Sequence, residues 1–223
     1  MKHSSTLQII REVVVRLLVV TMFTVPAAAQ NLSFGVKAGV PVTDSFNLSN
    51  PTSSINNYTF TTRRYTVGPT FELGLPYKLS FVADALYKQL QYASNPFGFS
   101  TFLATTKANS WEFPLLVKSH LIGGPFRPYV DAGFSFRHVG GTTAFSNGTV
   151  QASQDPLELI HSWSTGVAAG GGVDFRYGWL RFSPEVRYTR WSNGNFSSSN
   201  GMLGSNRNAV DVLVGVTFTS ESQ

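Results

Sequence analysis

The 223-residue sequence contains no cysteine. A disulfide framework and a thiolate metal site are therefore both excluded. Charge is scarce as well: Asp, Glu, Lys and Arg together make up 13% of the chain. No run of five or more Lys or Arg occurs, so the electrostatic footprint of a nucleic-acid binder is missing. Nor is any apolar stretch as long as the ~20 residues that a membrane-spanning helix needs. Apolar residues at helical spacing are nowhere sustained.

What is present begins with a leader pattern. Lys2, His3, Arg11 and Arg16 make a basic start, "LLVVTMFTV" follows at 17 to 25, and "PAAAQ" places Ala27 and Ala29 at cleavage-site positions. This predicts a signal peptide over residues 1–29, cut after Ala29, because the apolar run is too short for an anchor helix. The mature chain, residues 30–223, is expected to be one domain. Of the net charge of +5, Lys2, Arg11, Arg16 and Glu12 lie in the leader, which leaves +3. That charge is too weak to argue for a nucleic-acid partner, and none is expected.

Period two dominates the rest. Eight segments alternate, at about 31–41, 65–75, 79–90, 110–119, 127–138, 163–176, 180–190 and 208–218. In residues 208–218, Val210, Val212, Val214, Val216 and Phe218 stand against Asp211, Leu213, Gly215 and Thr217. Such alternation marks strands with two unlike faces. The connections alternate too. Long Asn-, Ser- and Thr-rich segments (42–64, 91–109, 139–162, 191–207) are interleaved with tight ones ("PYK", 120–126, "YG"). Keeping every long loop at one end is the habit of an outer-membrane barrel. The expected fold is all-β: an eight-stranded antiparallel up-and-down transmembrane barrel with short periplasmic turns and four long extracellular loops.

The apolar face should then meet lipid, and its ends are aromatic. Phe34, Tyr77, Phe81, Phe126, Phe175, Phe182 and Phe218 fall on the turn side. Tyr65, Tyr87, Trp111, Phe136, Trp163 and Tyr188 fall on the loop side. Two aromatic belts around an aliphatic band fit an outer-membrane barrel. A soluble, lipocalin-like barrel would turn the same face inward and leave the belts without a reason.

Every strand places ionisable residues on the opposite face. The cations are Lys37, Lys88, Lys118, Arg137, Arg176 and Arg187, and the acids are Glu72, Asp84, Glu112, Asp131, Asp174, Glu185 and Asp211. Eight strands enclose only enough space for side chains to fill, and buried charges must be paired. An interior salt-bridge network is therefore expected, with the glycines of "GVAAGGG" making room for long side chains. Pro41 and Pro128 sit near strand ends; Pro69, Pro114 and Pro184 should cause bulges or lost ladder bonds.

The segments "FGVKAGV", "VGPTFELGLPYKLSFVADALY", "WEFPLLVKSHL", "RPYVDAGFSFR", "GVAAGGGVDFRYGWLRFSPEVRYTRW" and "VLVGVTF" together resemble the small outer-membrane β-barrel domain family, related in architecture to the OmpA-type barrel. The resemblance covers about residues 31–218. It rests on an inward acid before a Leu-Tyr pair (Asp84, then Leu86 and Tyr87) and on the acid-x-Pro-Leu-Leu-x-Lys pattern from Glu112 to Lys118. It implies a porin-like, OmpA-like protein of the Gram-negative outer membrane, surrounded by lipid and inserted by the barrel-assembly machinery. The aromatic Phe218 resembles that machinery's signal, although "TSESQ" follows it here.

Catalysis finds little support. "RWSN", Arg190 to Asn193, resembles the His-x-Ser-Asn segment of lipid A deacylases with arginine in the histidine's place. Arginine cannot take a proton from Ser192. His120 in a turn, and His138 and His161 at rims, share no ligand spacing. No catalytic, cofactor-binding or metal residue is therefore assigned. The expected role is non-enzymatic, structural or surface-binding, with Phe97, Phe99, Phe102, Phe145 and Phe196 in the loops as candidate contacts for an extracellular ligand. A narrow channel for small solutes is the alternative, and a lipid A-modifying enzyme a more distant one.

Overall fold

The computed structural model describes residues 32–48, 57–60, 65–95, 104–146, 149–152, 159–196 and 203–219. The strands are β1 (Leu32–Pro41), β2 (Phe46–Leu48), β3 (Asn57–Phe60), β4 (Thr66–Gly74), β5 (Leu79–Asp84), β6 (Leu86–Asn95), β7 (Ala104–His120), β8 (Phe126–Ser146), β9 (Thr149–Ala152), β10 (Trp163–Tyr177), β11 (Leu180–Trp191), β12 (Leu203–Ser205) and β13 (Asn208–Thr219). Among the described residues no helix occurs.

Eight staves close into one antiparallel barrel. Going round, they are β1, β4, β5 with β6, β7, β8, β10, β11 and β13, and β13 returns to β1 through pairs such as Val36 with Val216. Closure removes the free strand edges that would otherwise stand unpaired in hydrocarbon. Burial follows the two-residue period. On β11, Val186 and Tyr188 are 55% and 40% exposed, whereas Glu185 and Arg187 are each 2% exposed. Apolar side chains out and charged side chains in would be inverted for a water-soluble barrel; lipid outside makes the arrangement favourable.

The tight connections carry the backbone signatures of short turns. Tyr77 and Lys78 both have positive φ, 63° and 62°, closing β4 onto β5. The β10–β11 hairpin turns on Gly178, with φ 58°, and Trp179. The turn thus lies one residue later than "YG" suggests, because Tyr177 still pairs with Leu180.

The prolines interrupt ladders without shifting register. Between β4 and the β5–β6 stave, pairing stops after Thr70–Asp84 and resumes at Val67–Tyr87 on the same diagonal. Ala85, the break between β5 and β6, lies opposite Pro69 and donates its own N–H to the Pro69 carbonyl (3.0 Å). Pro114 stands on the other flank, where pairing skips from Ala83–Leu115 to Leu86–Glu112. A missing donor on each side explains why this stave is split there. Opposite Pro184, the β10–β11 ladder skips Val173 and Asp174 and keeps its register. The one register shift in these ladders lies between Lys107 and Asn109, away from any proline.

Beyond the barrel proper, β6 is extended by β3 and β8 by β9, while β2 and β12 form a separate two-stranded sheet. These additions sit at the end carrying the longer connections. There the inward-facing Leu90, Ala108 and Val139 meet Phe46, Phe196 and Leu159 in a buried apolar cluster. The rings of Phe46 and Phe196 contact edge-on, with centroids 5.4 Å apart.

Candidate functional site

The only place where polar chemistry concentrates among the described residues is the barrel interior, and it is stacked in three tiers. Parity of the strands aims each side chain inward, and closure brings together residues far apart in sequence.

The tier nearest the turns is built on Glu72 from β4 and Asp174 from β10. Lys118 Nζ lies 3.0 Å from Glu72 and 3.7 Å from Asp174. Arg181 Nη1 lies 3.0 Å from Glu72 and 3.6 Å from Asp174. His120 Nε2 hydrogen-bonds Asp174 at 2.9 Å, and Ser183 donates to the other Asp174 oxygen at 2.7 Å. The ammonium of Lys118 also stands 4.0 Å from the centre of the Tyr129 ring. Contrary to the turn position expected for it, His120 is the last residue of β7 and is buried inside the barrel.

The middle tier is a closed four-membered set. Lys37 Nζ lies 3.0 Å from both Asp84 and Glu185. Arg187 Nη2 lies 2.9 Å from Asp84, and Arg187 Nε donates to Glu185 at 2.6 Å. Thr70 donates to Asp84 (2.6 Å) and Tyr129 to Glu185 (3.3 Å). Two cations alternate with two anions, so each of these four buried charges has a counterpart. Asp131 is buried nearby, and its carboxylate oxygens have no hydrogen-bond partner.

The tier under the apolar cluster joins Lys88 to Glu112 and Asp211, each at 2.9 Å, and Arg137 to Glu112 at 2.9 Å. The guanidinium of Arg137 stacks 3.8 Å over the ring of Trp191, which is itself buried.

Of the inward charges named from the sequence, eleven thus stand within an ion-paired tier. Asp131 is buried without a bonded partner. Arg176 is half-buried at the turn-side mouth, where its Nε donates to the Gly178 carbonyl at 3.2 Å. Arg181 and His120 belong to the network but were not assigned to it. Arg181 was legible: it shares strand parity with Ser183, Glu185 and Arg187. Trp191 and Phe196 fall in the long 191–207 segment, yet both are buried inside the mouth. Phe196 is therefore no surface contact. The side chains of Phe97, Phe99, Phe102 and Phe145 lie outside the described ones.

On the lipid face, aromatic rings meet in rows. At the turn end, Phe126 contacts Phe175, Phe175 contacts Phe182, Phe34 contacts Phe218, and Trp179 stacks on Phe218. At the loop end, Tyr65, Tyr87 and Trp111 form a row. Tyr188 keeps its hydroxyl on Asn208 at 2.8 Å, as amphipathic rings do at an interface. Trp163 packs against His138, while Phe136 is exposed, Phe81 half-buried and Tyr77 fully out in the turn.

Two arrangements that could carry chemistry are occupied by structural contacts. Glu72, His120 and Asp174 bring ligand atoms within 4.8 Å of one another, but Lys118 and Arg181 already neutralise both carboxylates. The hydroxyl of Ser192 donates to the Thr165 carbonyl at 2.7 Å, and among the described residues no histidine hydrogen-bonds it.

A filled, charge-paired interior inside a closed eight-stranded barrel with an apolar exterior is an outer-membrane architecture. A family model for the outer membrane protein beta-barrel domain matches residues 28–191. The chain belongs to that family. Membership places this barrel protein in the bacterial outer membrane. Solved structures to which it is similar include Neisserial surface protein A, at 11% identity and a TM-score of 0.45, covering 85% of this chain and 98% of that one. The N-terminal barrel of Pseudomonas aeruginosa OprF is 11% identical, with a TM-score of 0.39 and coverage of 84% and 97%. The attachment invasion locus protein Ail of Yersinia pestis is 10% identical, with a TM-score of 0.40 and coverage of 85% and 97%. A search among curated proteins finds no match.

Proposed function

We propose that the protein is a non-enzymatic, non-conducting barrel with a structural or surface-binding role in the envelope. The observation that carries this reading is the continuity of the fill. Three tiers of paired charges occupy the bore, and the apolar cluster of Phe46, Leu90, Ala108, Val139 and Phe196 closes it at the loop end. An ion crossing such a path would have to break buried pairs, each costing several kcal/mol to leave half-made. Ser192 points its proton at a backbone carbonyl, and among the described residues no histidine hydrogen-bonds it, which supports a role without catalysis.

Recording the refolded protein in planar lipid bilayers tests this directly. The expected record is a flat baseline without discrete openings. Stable unitary channels would overturn the reading in favour of a narrow solute pore. The same proposal has residues 1–29 removed on export and the barrel-assembly machinery inserting the mature chain through its last strand.

A further inference from the structure

At the turn-side mouth of the barrel lies a cavity of about 130 Å³ that the ion-paired tiers leave unfilled. Its walls come from across the barrel: Lys78 from the β4–β5 turn, Arg127 from β8, Arg176 from β10, and Arg181 from β11, with Glu72, Ser33, Ser80, His120 and Thr219 between them. Four cationic side chains thus stand round the cavity with Glu72, which Lys118 and Arg181 already hold, and Arg181 also lies 3.6 Å from Asp174.

Three features of this mouth call for an anion. The buried donors are incomplete: Arg181 is 4% exposed, yet its Nη2 has no partner, and the buried Nε of Arg127 has none either. A buried guanidinium N–H without an acceptor is costly. Arg176 and Arg181 are also directly paired across the β10–β11 ladder. Cross-strand partners point to the same face, so two guanidinium groups line the same side of the cavity. Finally, the donors approach from strands on different sides of the bore. A ligand that satisfies them needs acceptor oxygens pointing in several directions, which a flat carboxylate lacks and a tetrahedral oxyanion has. Arginine is the side chain best shaped to grip such a group.

We infer that the turn-side mouth is a binding site for a phosphate-class oxyanion, held by Arg127, Arg176, Arg181 and Lys78. The site opens toward the periplasm, the side on which short turns of these barrels lie. It is independent of whether the bore conducts. The same phosphate chemistry is offered by free inorganic phosphate and by the headgroup of an inner-leaflet phospholipid.

The test is calorimetric titration of the refolded full-length mature barrel, in a phosphate-free detergent, with inorganic phosphate. Saturable one-site binding is expected. It should weaken at least tenfold in Arg127→Gln, whose guanidinium is in none of the ion-paired tiers, and stay unchanged in Arg190→Gln at the opposite end. Folding of each variant is checked by the mobility shift between unheated and heated samples on gels. Absence of saturable binding to the folded barrel, or equal binding by folded Arg127→Gln, would overturn the site. Repeating the titration in vesicles separates the sources. Phosphate binding that persists in phosphatidylglycerol vesicles assigns the site to the free anion. Binding abolished there but retained in phosphate-free glycolipid vesicles assigns it to the headgroup.

Discussion

Arg181 reaches Glu72 across the mouth of the barrel, Nη1 to Oε1 at 3.0 Å, although 109 residues separate them in the chain. β11 and β4 are not neighbours in the ladder: β13 and β1 lie between them. The contact therefore crosses the bore and does not run along its wall, and it shows how the interior braces staves that are not ladder neighbours.

Breaking that brace should be expensive. Arg181→Met leaves the buried Glu72 and Asp174 with one cation fewer, and a loss of about 3–5 kcal/mol is expected. Arg176→Gln, at the half-buried partner position on β10, should change stability by less than about 1 kcal/mol. Urea unfolding of refolded protein measures both, and equal losses would contradict the tiered reading.

Lipid-facing positions should refuse charge. Val167 is 54% exposed on the outer face of β10. Val167→Arg should cost about 2–4 kcal/mol near the bilayer midplane and reduce insertion into membranes. Folding yield in vesicles reports the effect, and an unchanged yield would contradict the outward assignment.

Two neighbouring glycines should behave oppositely. A β-carbon on Gly172 would meet the Tyr129 hydroxyl at 2.7 Å and run into the Pro184 carbonyl oxygen. One on Gly171 would find nothing nearer than 3.4 Å. Gly172→Ala is therefore expected to destabilise by about 1–3 kcal/mol, as overpacking does, and Gly171→Ala to be tolerated. Comparing the two urea midpoints decides it.

The apolar cap should matter to stability more than to conductance. Phe196 is 3% exposed and packs on Phe46. Phe196→Ala should cost about 3 kcal/mol, in the range for large-to-small core changes. Bilayer recordings should still show no openings, because the charge tiers lie beneath the cap. Discrete channels in this variant alone would assign the seal to the cap.

Much of this was legible in the chain. Strict two-residue alternation fixes which side chains share a face, whatever the fold. Val186 and Tyr188 were readable as outward and Glu185 and Arg187 as inward, and the burial of β11 follows that parity. Proline positions were legible as ladder faults. Their form was not: a bulge and a skipped bond leave the same mark in sequence, and which occurs depends on the flanking strands. At Ala85 the answer came from Pro69 and Pro114 on either side.

By itself, then, the sequence determined strand count, closure and the sidedness of each stave, because these rest on local period and on the cost of exposing backbone or charge to lipid. Partnership was decided only in three dimensions. Glu185 and Arg187 lie two residues apart and share a face, but their other partners, Lys37 and Asp84, come from β1 and β5. His120 joins Asp174, and Trp191 slides under Arg137, because the barrel's closure sets which inward side chains stand at the same height. Alternation says which way a side chain points; only the stagger of the closed sheet says what it meets.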